Sequence, residues 1–579
     1  MTSKYHAGAA CALLFLLQLS GCGGGDSAGV TQRNTPYGTV VGVDESTTKG
    51  VYSWKGIPFA KAPAGELRWK APVDPVAWTT PKATDKFANA CAQTGRLFSP
   101  GLNNRLDDTV SSTLGQTVGS EDCLYLNVWQ PSATSSAPRP VIVFVHGGSN
   151  VSGYTADPQY DGAALAKAAD AVVVTVNYRV GIFGFLNAAS LKTSDPAESS
   201  GNFALLDIIK ALKFVNASIA SFGGDPQNVT LMGHSAGAVN VLALLTSPLA
   251  RNASPALFQR AIPLSGGIAL ASSLPAGTSG VLSPNPTSQA QGAALLSNLV
   301  IGDGLAADAA GADAYIASRT PAQLADYLRG KSTDAVLNVV RTKLAAAGLS
   351  SSNPIPEGTV LPTDPIAAIK AGQYVKVPVL AGNTRDEGTL FAAFLATPSL
   401  GGLSGRLIDD KTFFSIVTKN NPEAPPTTSV EQWIPAAYLP VNTPVTGFKA
   451  RIDVLTQNLF FTQRDSVLNA LKSQQSAVWA YQFDWDEMPK PFDAIFGASH
   501  AFDLPFVFGN FDNVLFSNVI NTSANRPGRL ALSDAMMKSI SAFARKGDPN
   551  NDALKTTWPA WPSKIVFDGT QTSATIAVK

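Results

Sequence analysis

The sequence has almost no net charge: 43 Lys and Arg against 42 Asp and Glu leave +1 at pH 7. Proteins that bind the phosphates of nucleic acids normally carry a strong basic excess. The composition therefore argues against a nucleic-acid partner. Charged residues make up only 15% of the chain and hydrophobic residues 45%, which is typical of a globular protein and not of a disordered one.

Long hydrophobic runs are also missing. The apolar run 9–19 has about half of the ~20 residues that a membrane-spanning helix needs, and it is typical of an export signal. It leads into Leu19-Ser20-Gly21-Cys22, which is similar to the lipobox of bacterial lipoproteins. We predict a signal peptide over 1–21, a lipidated Cys22 and a flexible tether over 22–35. The alternative is ordinary cleavage and a periplasmic or secreted protein, because the lipid is the only membrane contact predicted.

Cysteine is scarce, with four residues in the chain. Cys11 lies in the apolar signal run and Cys22 in the lipobox, so only Cys91 and Cys123 remain for the folded protein. Two thiols in an exported protein most simply form one disulfide, and two reduced thiols in a core are the alternative. They are too few for a structural zinc site, and the sequence has no His-x-x-x-His pair. We therefore expect neither a metal nor a cofactor.

Short apolar runs of strand length alternate with Ala- and Leu-rich stretches. Uninterrupted apolar runs are typical of strands buried on both faces of a parallel sheet. The predicted strands are 141–145, 171–176, 229–232, 377–381 and 478–483. The stretch 203–217 has the spacing of a helix with one apolar face. This alternation predicts an α/β fold, a mostly parallel sheet flanked by helices, in a single domain over 36–579. The less regular stretches 270–353 and 397–447 are predicted to be excursions that form lids or pocket walls.

A candidate nucleophile lies in Gly233-His234-Ser235-Ala236-Gly237, between a predicted strand and an apolar helical stretch. In this setting a Gly-x-Ser-x-Gly turn lifts the serine hydroxyl above the edge of the sheet, and the glycines allow neighbouring backbone to pass close by. The helix that follows directs its positive end toward the place where an oxyanion would form. We therefore predict Ser235 as a nucleophile.

A serine nucleophile needs a histidine base, and the chain has only four histidines. His6 belongs to the predicted signal peptide. His234 is the direct neighbour of Ser235 in a sharp turn, where adjacent side chains diverge. His146 precedes the nucleophile, whereas sites of this kind follow the order Ser, acid, His. His500 remains as the predicted general base.

The other groups of such a site are also expected on loops after strands. The acid that orients the base should lie between the serine and the histidine, and on spacing alone Asp386 and Glu387 are both candidates. The Gly-rich turn 146–149 directly follows a predicted strand and can expose backbone N–H groups to an oxyanion. The amide of Ala236 supplies a further donor.

These motifs, in this order, resemble those of the type-B carboxylesterases, the family that also contains the cholinesterases. Two stretches are similar to the diagnostic motifs of the family, Glu121–Trp129 and Phe222–Gly237. Shorter matches lie at 56–60, 67–69, 177–179, 386–388, 497–500 and 558–562, so the resemblance extends nearly from end to end.

The resemblance implies an α/β-hydrolase fold and a serine esterase that works through an acyl-enzyme, with excursions that form a gorge. It also resolves the acid in favour of Glu387 over Asp386. The implied oxyanion donors are the amides of Gly148, Ser149 and Ala236. The implied disulfide joins Cys91 to Cys123.

Some positions depart from the family pattern. His234 stands where the family usually has Glu, and Ser149-Asn150 stand where it has Gly or Ala followed by an aromatic residue. Phe98 is the only aromatic residue between Cys91 and Cys123. We therefore expect few aromatic rings at the site, neutral esters as the substrates and poor turnover of choline esters, because this loop has no tryptophan to face their cation. A serine peptidase on the same fold and a non-catalytic relative are the alternative functions, although the second conflicts with the filled triad positions.

Overall fold

The computed structural model describes residues 29–276, 278–396 and 410–579. The predicted signal peptide, Cys22 and the first part of the predicted excursion 397–447 lie outside the described residues. The predicted tether 22–35 extends too far, because Gln32–Thr35 forms a strand that pairs antiparallel with Gly38–Val41. This strand has a polar sequence, and its backbone pairing holds it in place.

Sixteen strands lie in the described residues, and eleven of them form one sheet. The strands are β1 (Gln32–Thr35), β2 (Gly38–Val41), β3 (Val43–Glu45), β4 (Val51–Pro58), β5 (Lys82–Ala83), β6 (Gln93–Thr94), β7 (Thr117–Val118), β8 (Tyr125–Pro131), β9 (Arg139–Val145), β10 (Val172–Val176), β11 (Gly224–His234), β12 (Arg260–Leu264), β13 (Val379–Thr384), β14 (Val478–Phe483), β15 (Ile565–Gly569) and β16 (Ala574–Val578).

The large sheet has the strand order β16-β15-β14-β13-β12-β11-β9-β10-β8-β4-β3. The run from β15 to β10 is parallel throughout. Antiparallel strands close both ends, with β16 on β15 and β8, β4 and β3 beyond β10. The mostly parallel sheet predicted from the alternating pattern is thus present.

The central strands are buried on both faces, as their unbroken apolar sequences predict. Every residue of β9 and β10 is buried. Successive side chains of a strand point to opposite faces. Accordingly Val141, Val143 and Val145 lie in one hydrophobic cluster, whereas Ile142 and Phe144 lie in another. Two cores, one on each face, hold the sheet between layers of helices.

Helices cover both faces of this sheet. The first core includes apolar side chains from Phe203–Ser218 and Ala236–Thr246, and the second includes those from Ala163–Ala169 and Arg526–Lys546. The remaining α-helices of six or more residues are Asn285–Gly302, Ala309–Ala317, Pro321–Arg329, Thr333–Val339, Pro365–Lys370, Asp410–Lys419, Phe448–Thr456 and Thr462–Lys472.

The excursion predicted over 270–353 is largely helical. Its helices bury a third and smaller apolar cluster, which includes Leu295, Leu299 and Leu328, away from the sheet. No helix in the described part of the chain combines the length and the apolar character needed to cross a membrane.

Candidate active site

Ser235 lies at the turn between β11 and the helix Ala236–Thr246, as predicted. Its backbone has φ 56° and ψ −123°, a conformation that non-glycine residues rarely adopt and that is held only by strong surrounding packing. Every other residue from 229 to 247 is buried, whereas Ser235 is partly exposed. The fold therefore presents this one side chain of the segment to solvent.

The glycines around Ser235 are required by close packing. A Cβ on Gly237 would overlap the carbonyl oxygen of Val145 at the end of β9. A Cβ on Gly233 would lie 2.5 Å from the carbonyl oxygen of Gly237. The turn is thus pressed against the neighbouring strand, as the sequence pattern predicted.

Glu387 and His500 form a buried pair. Glu387 begins a helical segment, Glu387–Ala396, just after β13, and His500 follows β14 in the chain. The Nδ1 atom of His500 lies 2.5 Å from Oε2 of Glu387, and their side chains are 3% and 0% exposed. Burial by itself raises the pKa of Glu387, but the charge and hydrogen bonds of His500, Ser265 and Asn383 outweigh it and hold that pKa below its usual range.

Three donors fix the other oxygen of Glu387. Its Oε1 accepts hydrogen bonds from Ser265 Oγ at 2.7 Å, from Asn383 Nδ2 at 2.9 Å and from the amide of Thr384 at 2.9 Å. The carboxylate can therefore only present Oε2 to the histidine. Ser265 and Asn383 were not identified from the sequence, because no local motif marks them. Ser265 follows β12 with a positive φ of 54°, and only the fold brings it to the acid.

Asp386, the other acid that spacing allowed, has a different role. Its carboxylate forms salt bridges with Arg385 at 2.7 Å and Lys449 at 3.3 Å, and accepts a hydrogen bond from the amide of Ala498 at 2.9 Å. The amide of Asp386 donates to the carbonyl of Ala498. Asp386 thus ties the acid loop to the loop that carries His500.

Aromatic rings surround the imidazole of His500. The ring centroids of His234, Phe391 and Phe460 lie 4.6, 5.0 and 5.0 Å from it. Burial, followed by the charge of His500, holds the pKa of His234 well below its usual value, so this ring is neutral. The two phenylalanines had no signal in the sequence, because they approach His500 from separate helical segments.

A cavity of about 250 Å³ lies over Ser235 and His500. Gly148 and Ser149 line it at the end of β9. Most of the rest is apolar: Leu97, Phe98, Tyr160, Leu390, Phe391, Phe413, Trp433, Ile434, Phe448, Ile495 and Phe496. Arg96 and Asp410 are one charge of each sign in the lining. The cavity therefore suits a ligand with apolar groups.

The prediction of a site with few aromatic rings is wrong. Seven Phe, Tyr and Trp residues line the cavity, and only Phe98 comes from the loop between the cysteines. The other six come from segments that lie more than 30 residues beyond Cys123 in the sequence. Asn150 was expected to stand where relatives have an aromatic ring in the pocket. Its side chain is instead fully buried and hydrogen-bonded to Asn240. The structural reason for expecting poor choline turnover is therefore removed.

The backbone amides of Gly148, Ser149 and Ala236 have no acceptor among the described residues. His146, upstream of them, is buried against Tyr178 with ring centroids 4.5 Å apart. Burial lowers the pKa of His146 to about 4, so it stays neutral and structural. Cys91 and Cys123 form a disulfide, as the cysteine count predicted, and it closes the loop that carries Phe98.

A serine on a strained strand-to-helix turn, near a buried Glu–His pair at the carboxyl edge of a mostly parallel sheet, defines a serine hydrolase with the α/β-hydrolase fold. The sequence model of the carboxylesterase family matches residues 29–572, and the chain belongs to that family. It is accordingly a serine carboxylic-ester hydrolase.

Its similarity to individual relatives extends over most of both chains. The para-nitrobenzyl esterase of Bacillus subtilis (strain 168) is 32% identical over 529 residues, which cover 91% of this chain and 92% of that protein. Liver carboxylesterase 1 of Oryctolagus cuniculus is 30% identical over 559 residues, covering 92% and 88%. A Geobacillus stearothermophilus carboxylesterase solved at pH 6.8 superposes with a TM-score of 0.66 at 29% identity, covering 95% of this chain and 98% of that chain.

Proposed function

We propose that Ser235, His500 and Glu387 are the catalytic triad of this esterase. The observation that carries the proposal is the buried 2.5 Å contact between Glu387 and His500, with His500 and the partly exposed Ser235 lining one cavity. The carboxylate on Nδ1 favours the tautomer whose Nε2 is free to accept a proton. A histidine held in this way is the base that a serine nucleophile requires.

The reaction follows from this arrangement. His500 takes the hydroxyl proton of Ser235 as its oxygen attacks the ester carbonyl, and the charge develops on the former carbonyl oxygen. The amides of Gly148, Ser149 and Ala236 donate to that oxyanion. The alcohol leaves with the proton from the histidine and an acyl-serine remains. Water, deprotonated by the same histidine, then releases the acid and frees the serine.

We propose neutral esters with apolar or aromatic groups as the substrates. Apolar side chains dominate the cavity, and Arg96 and Asp410 contribute opposite charges. A charged group that enters this cavity loses its water shell, and an anion gains nothing from the ring faces in return. Neutral acyl and alcohol groups gain from the same burial.

Ser235→Ala tests this function, since it removes only the nucleophilic oxygen. We expect hydrolysis of p-nitrophenyl butyrate to fall by at least ~10⁴-fold, with the melting temperature unchanged. A fluorophosphonate probe should label the wild type stoichiometrically and fail to label the variant. Ser247→Ala, at the far end of the same helix, is the matched control. Activity of Ser235→Ala within tenfold of the wild type contradicts the proposal, and cleavage of a matched anilide at the ester's rate points to a peptidase.

We also propose that the protein is an exported lipoprotein, anchored in the bacterial cell envelope through Cys22 and folded as one domain beyond the tether. Support comes from the short apolar run 9–19 and the lipobox that ends at Cys22. The disulfide between Cys91 and Cys123 adds to it, since such bonds persist in oxidising compartments.

A further inference from the structure

The loop that follows β9 contains three successive residues with positive φ. The values are 109° at Gly148, 55° at Ser149 and 56° at Asn150. Glycine adopts this region freely, asparagine tolerates it, and serine does so at a cost. Two adjacent non-glycine residues keep such a conformation only where surrounding contacts hold them. The same conformation turns the amides of Gly148 and Ser149 away from internal acceptors.

The contacts that hold this loop converge on the side chain of Asn150. Its Oδ1 accepts a hydrogen bond from Asn240 Nδ2 at 2.9 Å, and its Nδ2 donates in return to Asn240 Oδ1 at 3.4 Å. The hydroxyl of Tyr178 lies 3.3 Å from Asn150 Oδ1 and 2.8 Å from the carbonyl of His146. The carbonyl of Asn150 accepts from the amide of Gly181 at 2.5 Å. All of Asn150, Asn240 and Tyr178 are fully buried.

The two asparagines belong to different halves of the proposed oxyanion hole. Asn150 directly follows the loop amides of Gly148 and Ser149. Asn240 lies in the helix Ala236–Thr246, whose first residue supplies the third amide. A reciprocal pair of side-chain hydrogen bonds therefore joins the element that carries two donors to the element that carries the third.

We propose that Asn150 and Asn240 form a clamp that sets the distance between the two halves of the oxyanion hole. They are positioning residues, because neither lines the cavity and both act through the backbone amides. Hydrogen-bond donors stabilise a transition state most when they already point at the position where its charge develops. Loosening the clamp should therefore weaken transition-state binding while leaving substrate binding nearly unchanged. The inference rests on the proposed function of those amides.

The decisive variant is Asn150→Gly. Glycine accepts the positive φ of this position without strain, so the loop keeps its backbone preference while the clamp is lost. We expect kcat for p-nitrophenyl butyrate to fall about 10- to 100-fold, with KM within about twofold of the wild type. The affinity of a trifluoromethyl ketone, which forms an oxyanion on the serine, should fall by the same factor as kcat. A planar ester analogue that cannot be attacked should keep its affinity.

Asn240→Ala breaks the same pair from the helix side and should give the same pattern. Because both changes remove one interaction, the double variant should lose no more than the worse single variant. Asn202→Ala is the matched control. Asn202 is equally buried and holds a distant loop through the backbone of Ile355, so its loss should lower the melting temperature and leave kcat unchanged.

Several results would overturn the clamp. One is a folded Asn150→Gly enzyme with kcat within twofold of the wild type, since the asparagine would then serve only its backbone conformation. Others are additive losses in the double variant, or equal losses in the control. If Asn240→Ala does not fold, Asn150→Gly decides alone. Titration with a fluorophosphonate separates this test from the proposed function, because failure of that function would leave the wild type unlabelled at Ser235, whereas the clamp variants should reach the same final labelling as the wild type.

Discussion

Replacing Glu387 by glutamine tests whether this carboxylate orients His500, the proposed catalytic base. The variant keeps the size of the side chain and removes its charge. In the wild type, Oε1 accepts from three donors, while Oε2 faces only His500. A glutamine in this place must keep its oxygen toward the three donors, because turning the amide would set N–H groups against them. Its NH₂ group then points at Nδ1 of His500.

An NH₂ group beside Nδ1 stabilises the tautomer in which that nitrogen accepts and Nε2 carries the proton. Such a histidine cannot take the proton of Ser235. Changes of this kind in serine hydrolases lower kcat by ~10⁴-fold, which corresponds to ~5 kcal/mol of transition-state stabilisation. We expect a loss of that size in Glu387→Gln, with little change in KM.

The assay is kcat and KM for p-nitrophenyl butyrate at pH 8, alongside ¹⁵N chemical shifts of His500, which report its tautomer directly. Asp386→Asn is the control, because Asp386 pairs with Arg385 and Lys449 and does not contact the base. It should lower the melting temperature more than kcat. A Glu387→Gln enzyme within tenfold of the wild type, or a larger loss of kcat in Asp386→Asn, would refute this reasoning.

Three further predictions concern stability, specificity and the anchor. Burial raises the pKa of Asp503 to about 6, whereas an aspartate of the unfolded chain has a pKa of ~4. The free energy of unfolding should therefore fall as pH rises from ~4 to about 6, by ~3 kcal/mol in total. Asp503→Asn should therefore raise the melting temperature at pH 8 and have no such effect near pH 4; an equal gain at both pH values contradicts the titration. Phe98→Ala should lower kcat/KM for phenyl acetate about 2- to 10-fold relative to methyl butyrate, and equal losses for both esters exclude a ring contact. Cys22→Ser should release the protein from membranes or leave the precursor uncut, and a soluble, processed wild type would rule out the anchor.

Local patterns predicted the parts of the molecule that short segments determine. The unbroken apolar runs identified β9 and β10 because strands buried on both faces need no polar positions. The turn at Ser235 was predictable because its two glycines and its neighbouring strand and helix are contiguous in the chain. The order of the groups, together with the family resemblance, predicted Glu387 and His500 for the pair that the structure brings into contact.

Features that depend on distant segments were not predictable in this way. Phe413 and Trp433 reach the cavity from helices far from any motif, so counting rings near the cysteines gave the wrong description of the pocket. Ser265 holds the acid from the end of another strand. The polar segment Gln32–Thr35 looks like a tether, and only its pairing with β2 makes it a strand. In each case a contact with a distant part of the chain, and not the local sequence, determines where the residue lies.

The proposed catalytic residues follow strands of the sheet, whereas part of the cavity lining comes from segments outside it. This difference has a consequence for engineering. Phe413, Trp433 and Phe448 come from a single stretch, 410–448, that lies between β13 and β14 and contains no strand of the sheet. Exchanging this stretch between homologous esterases should transfer a preference for acyl or alcohol groups. The register of the sheet, and with it the spacing of the proposed nucleophile, base and acid, should be kept. Because the three rings are buried in the second core, libraries at these positions should be limited to apolar side chains of similar volume, which such a core tolerates best.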